Sequence, residues 1–117
     1  MTILTTAAAA AVQINQGEDV VIEVDVVDQA GAIKPLAGAT ISFRIGTKRS
    51  NTFVFATAGY LVTDGTDGAI GAALSAAQTA AIAVKEYDMQ FIATDSAGDT
   101  QVVYDARIDV DAILPAA

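Results

Sequence analysis

The side chains best suited to chemistry in this 117-residue chain are carboxylates at alternate positions of predicted strands. They are Glu23, Asp25, Asp88, Asp105 and Asp109. Two carboxylates that flank a glycosidic bond can hydrolyse it, but alternation along a strand also places residues on the solvated face of a sheet. We favour the solvated face. Because no serine lies in a G-x-S-x-G sequence either, we predict no catalytic residues and a chain that is not an enzyme.

The aspartates of the turns form a second candidate site, because Ca²⁺ prefers oxygen ligands. Asp64, Asp67, Asp95 and Asp99 lie in glycine-containing turns, but their spacing does not match an EF-hand loop. Turns favour Asp for a simpler reason, which is the hydrogen bond from its side chain to nearby backbone. The loop at 46–50 lacks the glycine spacing of a phosphate-binding loop. We therefore predict neither a metal nor a cofactor.

Two absences and the net charge restrict the remaining functions. The chain has no His and no Cys, which removes the commonest general base near neutral pH, the thiol nucleophile and any disulfide framework. It carries 14 acidic and 6 basic residues, a formal net charge of −8, without a stripe of Lys or Arg. A chain of this charge repels phosphate, so we do not expect nucleic acid as a partner.

The composition and the spacing of apolar residues both indicate a β protein. Val and Ile number 23 against 5 Leu, and 25 further residues are Ala; branching at Cβ suits a pleated sheet. Apolar alternation predicts strands at 19–28, 40–45, 52–57, 60–63, 69–74, 86–94 and 101–111. A capping-box pattern from Ser75 to Gln78 predicts a brief helix through about Ile82. About seven or eight short strands with turns between them predict an all-β, immunoglobulin-like antiparallel sandwich.

The phase of each strand predicts which side chains enter the core. In the last strand the inward residues are Val102, Tyr104, Ala106, Ile108 and Val110, and in the strand before it they are Tyr87, Met89, Phe91 and Ala93. Most aromatic residues fall at inward positions, so core packing explains them. Phe53, Phe55 and Tyr60 lie on short segments that suit the edge of a sheet. We predict these three as exposed residues that contact a partner.

The two ends of the chain differ in composition from the centre. Residues 1–12 form an Ala/Thr-rich N-terminal arm, residues 13–112 the sandwich, and residues 113–117 a C-terminal tail. The arm lacks the basic residues of a signal peptide and is shorter than the roughly 20 apolar residues that span a membrane, so no membrane partner is expected. The arm is either loose or ordered against a neighbouring subunit. In the second case Ala7, Ala8, Ala9, Ala10 and Ala11 are the contact residues.

The order of short motifs along the chain gives a further indication. The motifs are Gln16-Gly17, D-x-x-G at 28–31, LAGAT at 36–40, TDGTDG at 63–68, LSAAQTA at 74–80, YDMQ at 87–90 and DSAG at 95–98. From about residue 14 to residue 111 this order resembles the Ig-like domains of bacteriophage virion proteins, notably the N-terminal domain of baseplate upper proteins and related tail-fibre modules. Such domains often have glycine where this chain has Lys85-Glu86 and Ala106.

The resemblance implies a non-enzymatic virion structural protein, with the particle as its location. It favours an Ig-like docking module at the tail, the baseplate or the attachment of a fibre, whose partners are other virion proteins and copies of itself. Decoration of the capsid surface is the alternative, because a small acidic domain suits that role equally well. A module that binds host-surface glycans through Phe53, Phe55 or Tyr60 is a second alternative.

Overall fold

The protein is described by a computed structural model, which covers residues 2–6, 12–26, 32, 36–47, 52–62, 66 and 68–112. Its elements are β1 (Thr2–Thr6), β2 (Val12–Asn15), β3 (Val20–Asp25), β4 (Thr40–Thr47), β5 (Thr52–Ala58), β6 (Tyr60–Leu61), β7 (Ala69–Leu74), α1 (Ala76–Ala80), β8 (Lys85–Thr94) and β9 (Thr100–Asp111). No helix in these ranges is both long and apolar enough to cross a membrane.

The described strands form two sheets. The four-stranded sheet has the order β1-β3-β7-β6, and the five-stranded sheet has the order β2-β9-β8-β4-β5. Most neighbours are antiparallel, while β1 runs parallel to β3 and β2 runs parallel to β9. This arrangement confirms the predicted all-β sandwich, with nine strands and one short helix among the described residues.

The core lies between the sheets and follows the predicted alternation. The four-stranded sheet contributes Val20, Ile22 and Val24 of β3, which are fully buried. The five-stranded sheet contributes Phe43 and Phe91, which are also fully buried and whose ring centroids lie 4.9 Å apart. The two sheets therefore bury their apolar faces against each other in one shared layer.

One inward position of the last strand was wrongly predicted. Val102 is 46% exposed, although the period of two places it on the core side with Tyr104. The pairing of β8 with β9 explains the difference, because Phe91 pairs with Tyr104 and Ile92 with Val102. Val103 is therefore an extra residue, a β-bulge, which reverses the direction of every side chain that precedes it in β9.

The N-terminal segment contributes to both sheets. In β1, Thr2 pairs with Val20 and Thr6 with Val24. In β2, Val12 pairs with Ile108, so the chain has changed sheets between its first and second strands. Residues 2–6 of the proposed arm thus form an edge strand of the chain's own sandwich. Residues 7–11 and 113–117 lie outside the described residues.

Gly59 lies where the chain passes from the five-stranded to the four-stranded sheet. Its N–H donates to the carbonyl of Ile41, at 2.8 Å, and Tyr60 then begins the pairing with β7. A Cβ at Gly59 would lie 2.6 Å from a methyl carbon of Ile41 and 2.8 Å from the carbonyl oxygen of Gly71. The close approach of two chain segments therefore requires glycine at this position.

The short helix begins as predicted and fixes the turn between β2 and β3. Ser75 and Gln78 form the predicted capping box, with bonds of 3.2 Å and 2.8 Å, whereas the helix ends at Ala80, before Ile82. The buried Thr79 hydroxyl donates to the carbonyl of Glu18, at 2.9 Å, and accepts from the N–H of Gly17, at 3.0 Å. These bonds attach the helix to the sandwich.

Candidate functional site

A β-bulge sets the direction of the most exposed aromatic side chain. Ile45 pairs with Phe55 and Gly46 pairs with Phe53, so Val54 is an extra residue on β5. Partners in a ladder point to the same side; Phe55 therefore faces the core with Ile45, and Phe53 faces outward with Gly46. The exposures agree, because Phe53 is 60% exposed and Phe55 is packed against the core. A strict period of two would have put both rings on one side.

Glycine at position 46 is a requirement of this bulge. A Cβ on Gly46 would lie 2.3 Å from the carbonyl oxygen of Thr52 and 2.6 Å from the Cα of Phe53. Both atoms belong to the backbone of β5, so they cannot swing aside as the end of a side chain could. The outward position of Phe53 thus depends on glycine in the neighbouring strand.

A shallow depression of about 110 Å³ lies beside this ring on the outer face of the five-stranded sheet. We call it the Phe53 depression, and its lining residues are Arg44, Gly46, Thr47, Thr52, Phe53, Asp88 and Gln90. The register explains why they meet, because Arg44 pairs with Gln90 and Gly46 pairs with Asp88 across β4 and β8. The guanidinium carbon of Arg44 lies 5.5 Å from the centroid of the Phe53 ring, a cation–π distance.

The lining combines one apolar ring with balanced polar groups. Among the described lining residues, Arg44 contributes a cation and Asp88 an anion, so these two charges balance although the chain carries −8. The guanidinium donates, the carboxylate accepts, and the amide of Gln90 does both. Such a surface can hold an uncharged molecule that has an apolar face and several hydroxyl groups.

Tyr60 lies on the other side of the sandwich and has a structural contact. Its hydroxyl lies 3.3 Å from Oε2 of Glu23 and donates to it. Burial and the adjacent Glu23 carboxylate raise the pKa of the Tyr60 phenol above its ordinary value. The ring is still 37% exposed, so part of it is open to solvent.

The structure does not bring the three predicted contact aromatics together. Phe53 faces outward from the five-stranded sheet, Phe55 faces the core, and Tyr60 lies on the outer face of the four-stranded sheet. Residues 7–11, the other predicted contact segment, lie outside the described residues. Arg44 and Asp88 could not be recognised from the sequence as neighbours of Phe53, because only the pairing of strands distant along the chain brings them together.

The carboxylates considered for catalysis occupy the outer faces of the sheets. Arg107 pairs with Asp109 at 3.0 Å and with Glu86 at 2.8 Å, and these contacts raise the pKa of its guanidinium. Asp95 accepts the N–H groups of Ala97 and Asp99, at 2.9 Å each, as expected of a turn. Asp64 and Asp67 are outside the described residues, within which no group of three or more acidic residues is arranged to hold a metal.

Comparison with known proteins gives a likeness of fold. No protein-family model and no curated protein sequence matches the chain. The N-terminal domain of phage TP901-1 ORF48 has a similar structure, with a TM-score of 0.69 and 15% identity, over 95% of this chain and 99% of that one. The match to CopC from Methylosinus trichosporium OB3b covers 95% of this chain and 91% of that one at 15% identity, with a TM-score of only 0.48. The phage domain therefore shares the fold of this chain over nearly the full length of both.

Proposed function

We propose that the protein is a non-enzymatic structural component of a bacteriophage particle, an Ig-like module that docks onto other virion proteins at the tail, the baseplate or the attachment of a fibre. The likeness to the phage TP901-1 ORF48 domain carries this proposal, because it spans 99% of that domain rather than a shared fragment. The order of motifs from residue 14 to 111 supports the same class of protein.

The edge of the five-stranded sheet provides a way to dock. Within the described part of the chain, β5 is the last strand of that sheet, and an edge strand can accept an extended segment of another protein. Val54 is 51% exposed on this strand. Burial of such side chains contributes roughly 25 cal/mol per Å² of apolar area, so a partner strand would gain both backbone hydrogen bonds and apolar contacts.

The N-terminal segment is the second proposed contact. Residues 2–6 lie at the edge of the four-stranded sheet, and Ala7 to Ala11 follow them. Small side chains allow close approach to a neighbouring copy of the chain. Ordering such a segment costs on the order of 1–2 kcal/mol per residue in backbone entropy, so this contact requires a large interface or many copies.

The experiment is to measure the protein in purified particles of the phage that encodes it, using quantitative mass spectrometry. About six copies per particle, or a small multiple of six, would support the tail or the baseplate, and on the order of hundreds would support capsid decoration. Absence of the protein from particles would contradict both roles.

A pair of matched variants tests the docking edge. Val54→Lys places a charge on β5, which hinders addition of a strand, and should lower the number of copies per particle. Val84→Lys is the control, because Val84 is 53% exposed and lies outside the strands. Equal incorporation of both variants would contradict docking at β5.

A further inference from the structure

The orientation of Phe53 is unusual for an aromatic residue on a strand that also packs on the core. The ring is 60% exposed, while Phe55, two residues along the chain, faces the core. The bulge at Val54 and the close approach at Gly46 together keep Phe53 outward. Bulges are frequent next to functional sites, where they redirect a side chain. The bulge, together with the glycine that it requires in the neighbouring strand, thus places this ring on the surface.

The polar groups around the ring restrict the kind of ligand. Among the described lining residues, the cation of Arg44 stands beside the anion of Asp88, so the net charge of these residues favours neither an anion such as phosphate nor a cation. Gln90 adds a donor and an acceptor, and the hydroxyls of Thr47 and Thr52 also border the depression. A neutral ligand with alternating donors and acceptors matches this set.

The shape restricts the ligand further. The depression has a volume of about 110 Å³, whereas pockets that enclose a small molecule typically have roughly 300–1,000 Å³. A ligand would therefore rest on the surface with one face against the protein. A pyranose ring has this character, because its C–H groups form an apolar face that packs on an aromatic ring and its hydroxyls lie around the edge.

We infer that the Phe53 depression binds a neutral sugar residue, with the ring of Phe53 as the platform and with Arg44, Asp88 and Gln90 as hydrogen-bonding groups. The inference goes beyond the proposed structural role. It assigns the glycan-binding activity to one of the three aromatic residues considered from the sequence. Phe55 is excluded by its direction, and Tyr60 lies on the opposite sheet.

The test is an NMR titration of the full ¹⁵N-labelled chain with methyl α-D-glucopyranoside, methyl β-D-galactopyranoside and N-acetylglucosamine. At least one sugar should shift the amide signals of the lining residues, with a dissociation constant in the millimolar range, as for a shallow site that takes one ring. Phe53→Ala should weaken binding at least tenfold, and Asp88→Asn or Gln90→Ala should weaken it less. Phe53→Trp should preserve it.

Val102→Ala is the matched control, because Val102 is an exposed apolar residue on the same sheet face and does not line the depression. Its binding should equal that of the unaltered chain. The exposure of Phe53 makes unfolding of Phe53→Ala unexpected, and the dispersion of its amide spectrum reports this directly.

Three results would overturn the inference. They are the absence of shifts with all three sugars, shifts that persist in Phe53→Ala, and shifts of the lining residues with acetyl-trialanine amide but with no sugar. The last result would assign the depression to a polypeptide. Failure of sugar binding leaves the particle measurements unaffected, so the structural role is tested separately.

Discussion

The ring of Tyr60 occupies the space that a side chain on Gly71 would need. A Cβ built on Gly71 would lie 2.7 Å from both Cζ and the hydroxyl oxygen of Tyr60, and the two residues are register partners of β6 and β7. Gly71 in turn pairs with Glu23, the acceptor of the tyrosine hydroxyl. A glycine in the middle of a strand usually weakens it, but here the tyrosine covers the gap and joins three strands.

Gly71→Ala should therefore lower the free energy of unfolding only slightly, by less than about 1 kcal/mol, because the atoms that the new Cβ meets are the far end of the partly exposed Tyr60 side chain, which can move aside. The ring must leave the surface of β7 and lose its hydrogen bond to Glu23. In a Tyr60→Ala background the same substitution should cost less, because nothing then occupies the space beside position 71. Urea unfolding of the two single variants and the double variant measures this coupling. Additive effects would show that the ring does not constrain position 71.

The stability of the fold should decrease in alkali partly because of Tyr60. Burial and the Glu23 carboxylate raise its pKa in the folded state above the value of 10.0 for an unperturbed phenol. Between these two pKa values the unfolded chain releases the proton and the folded chain retains it, so unfolding becomes more favourable as the pH rises. The stabilisation is complete below pH 10.0 and is lost as the pH passes the folded pKa. Tyr60→Phe should unfold with a weaker dependence on pH in this range, and an unchanged dependence would contradict the assignment.

Thr79 should be more important for stability than its size suggests. Thr79→Val keeps the shape of the side chain but removes the hydroxyl that donates to Glu18 and accepts from Gly17. Loss of a buried hydrogen-bonding partner costs about 1–3 kcal/mol, and this loss should appear as a lower midpoint in urea. Thr79→Ser retains the hydroxyl and is the control. If Ser and Val variants lose equal stability, the methyl group rather than the hydrogen bonds is responsible.

The alanine segment gives a prediction about assembly. Replacing Ala7 to Ala11 with a Gly/Ser sequence of equal length should reduce the number of copies per particle, because the small apolar contacts would be lost and the more flexible chain would cost more entropy to order. The same change should leave urea unfolding of the isolated chain nearly unchanged if the segment contacts a neighbour. Full incorporation into particles would show that these alanines are not contact residues.

The sequence predicted most of the core because alternation is a local signal. Val20, Ile22 and Val24 form a buried row that can be identified without knowing their neighbours. The prediction failed at Val102, where an inserted residue reversed the phase, and it could not distinguish Phe53 from Phe55 for the same reason. A bulge depends on how two distant strands pair, and a single strand carries no clear mark of it.

The candidate site was harder to predict from the sequence than the core was. Arg44, Phe53 and Asp88 lie on three strands, and their proximity follows only from the register of those strands. The sequence shows that Arg44 and Asp88 are charged, and alternation along the strand predicts an outward position for Asp88. Only the strand pairing shows that these residues share one depression with an aromatic ring. Only the distances across that pairing show that position 46 must be glycine.

The parallel pairing of β2 with β9 has a mechanical consequence. Val12 pairs with Ile108 and Asn15 with Asp111, so the two strands run side by side in the same direction. A tension that pulls Val12 and Asp111 apart, each toward its own chain end, would slide one strand lengthwise along the other. The hydrogen bonds between them would then share the load together instead of opening one after another. A domain joined at these two points would resist stretching.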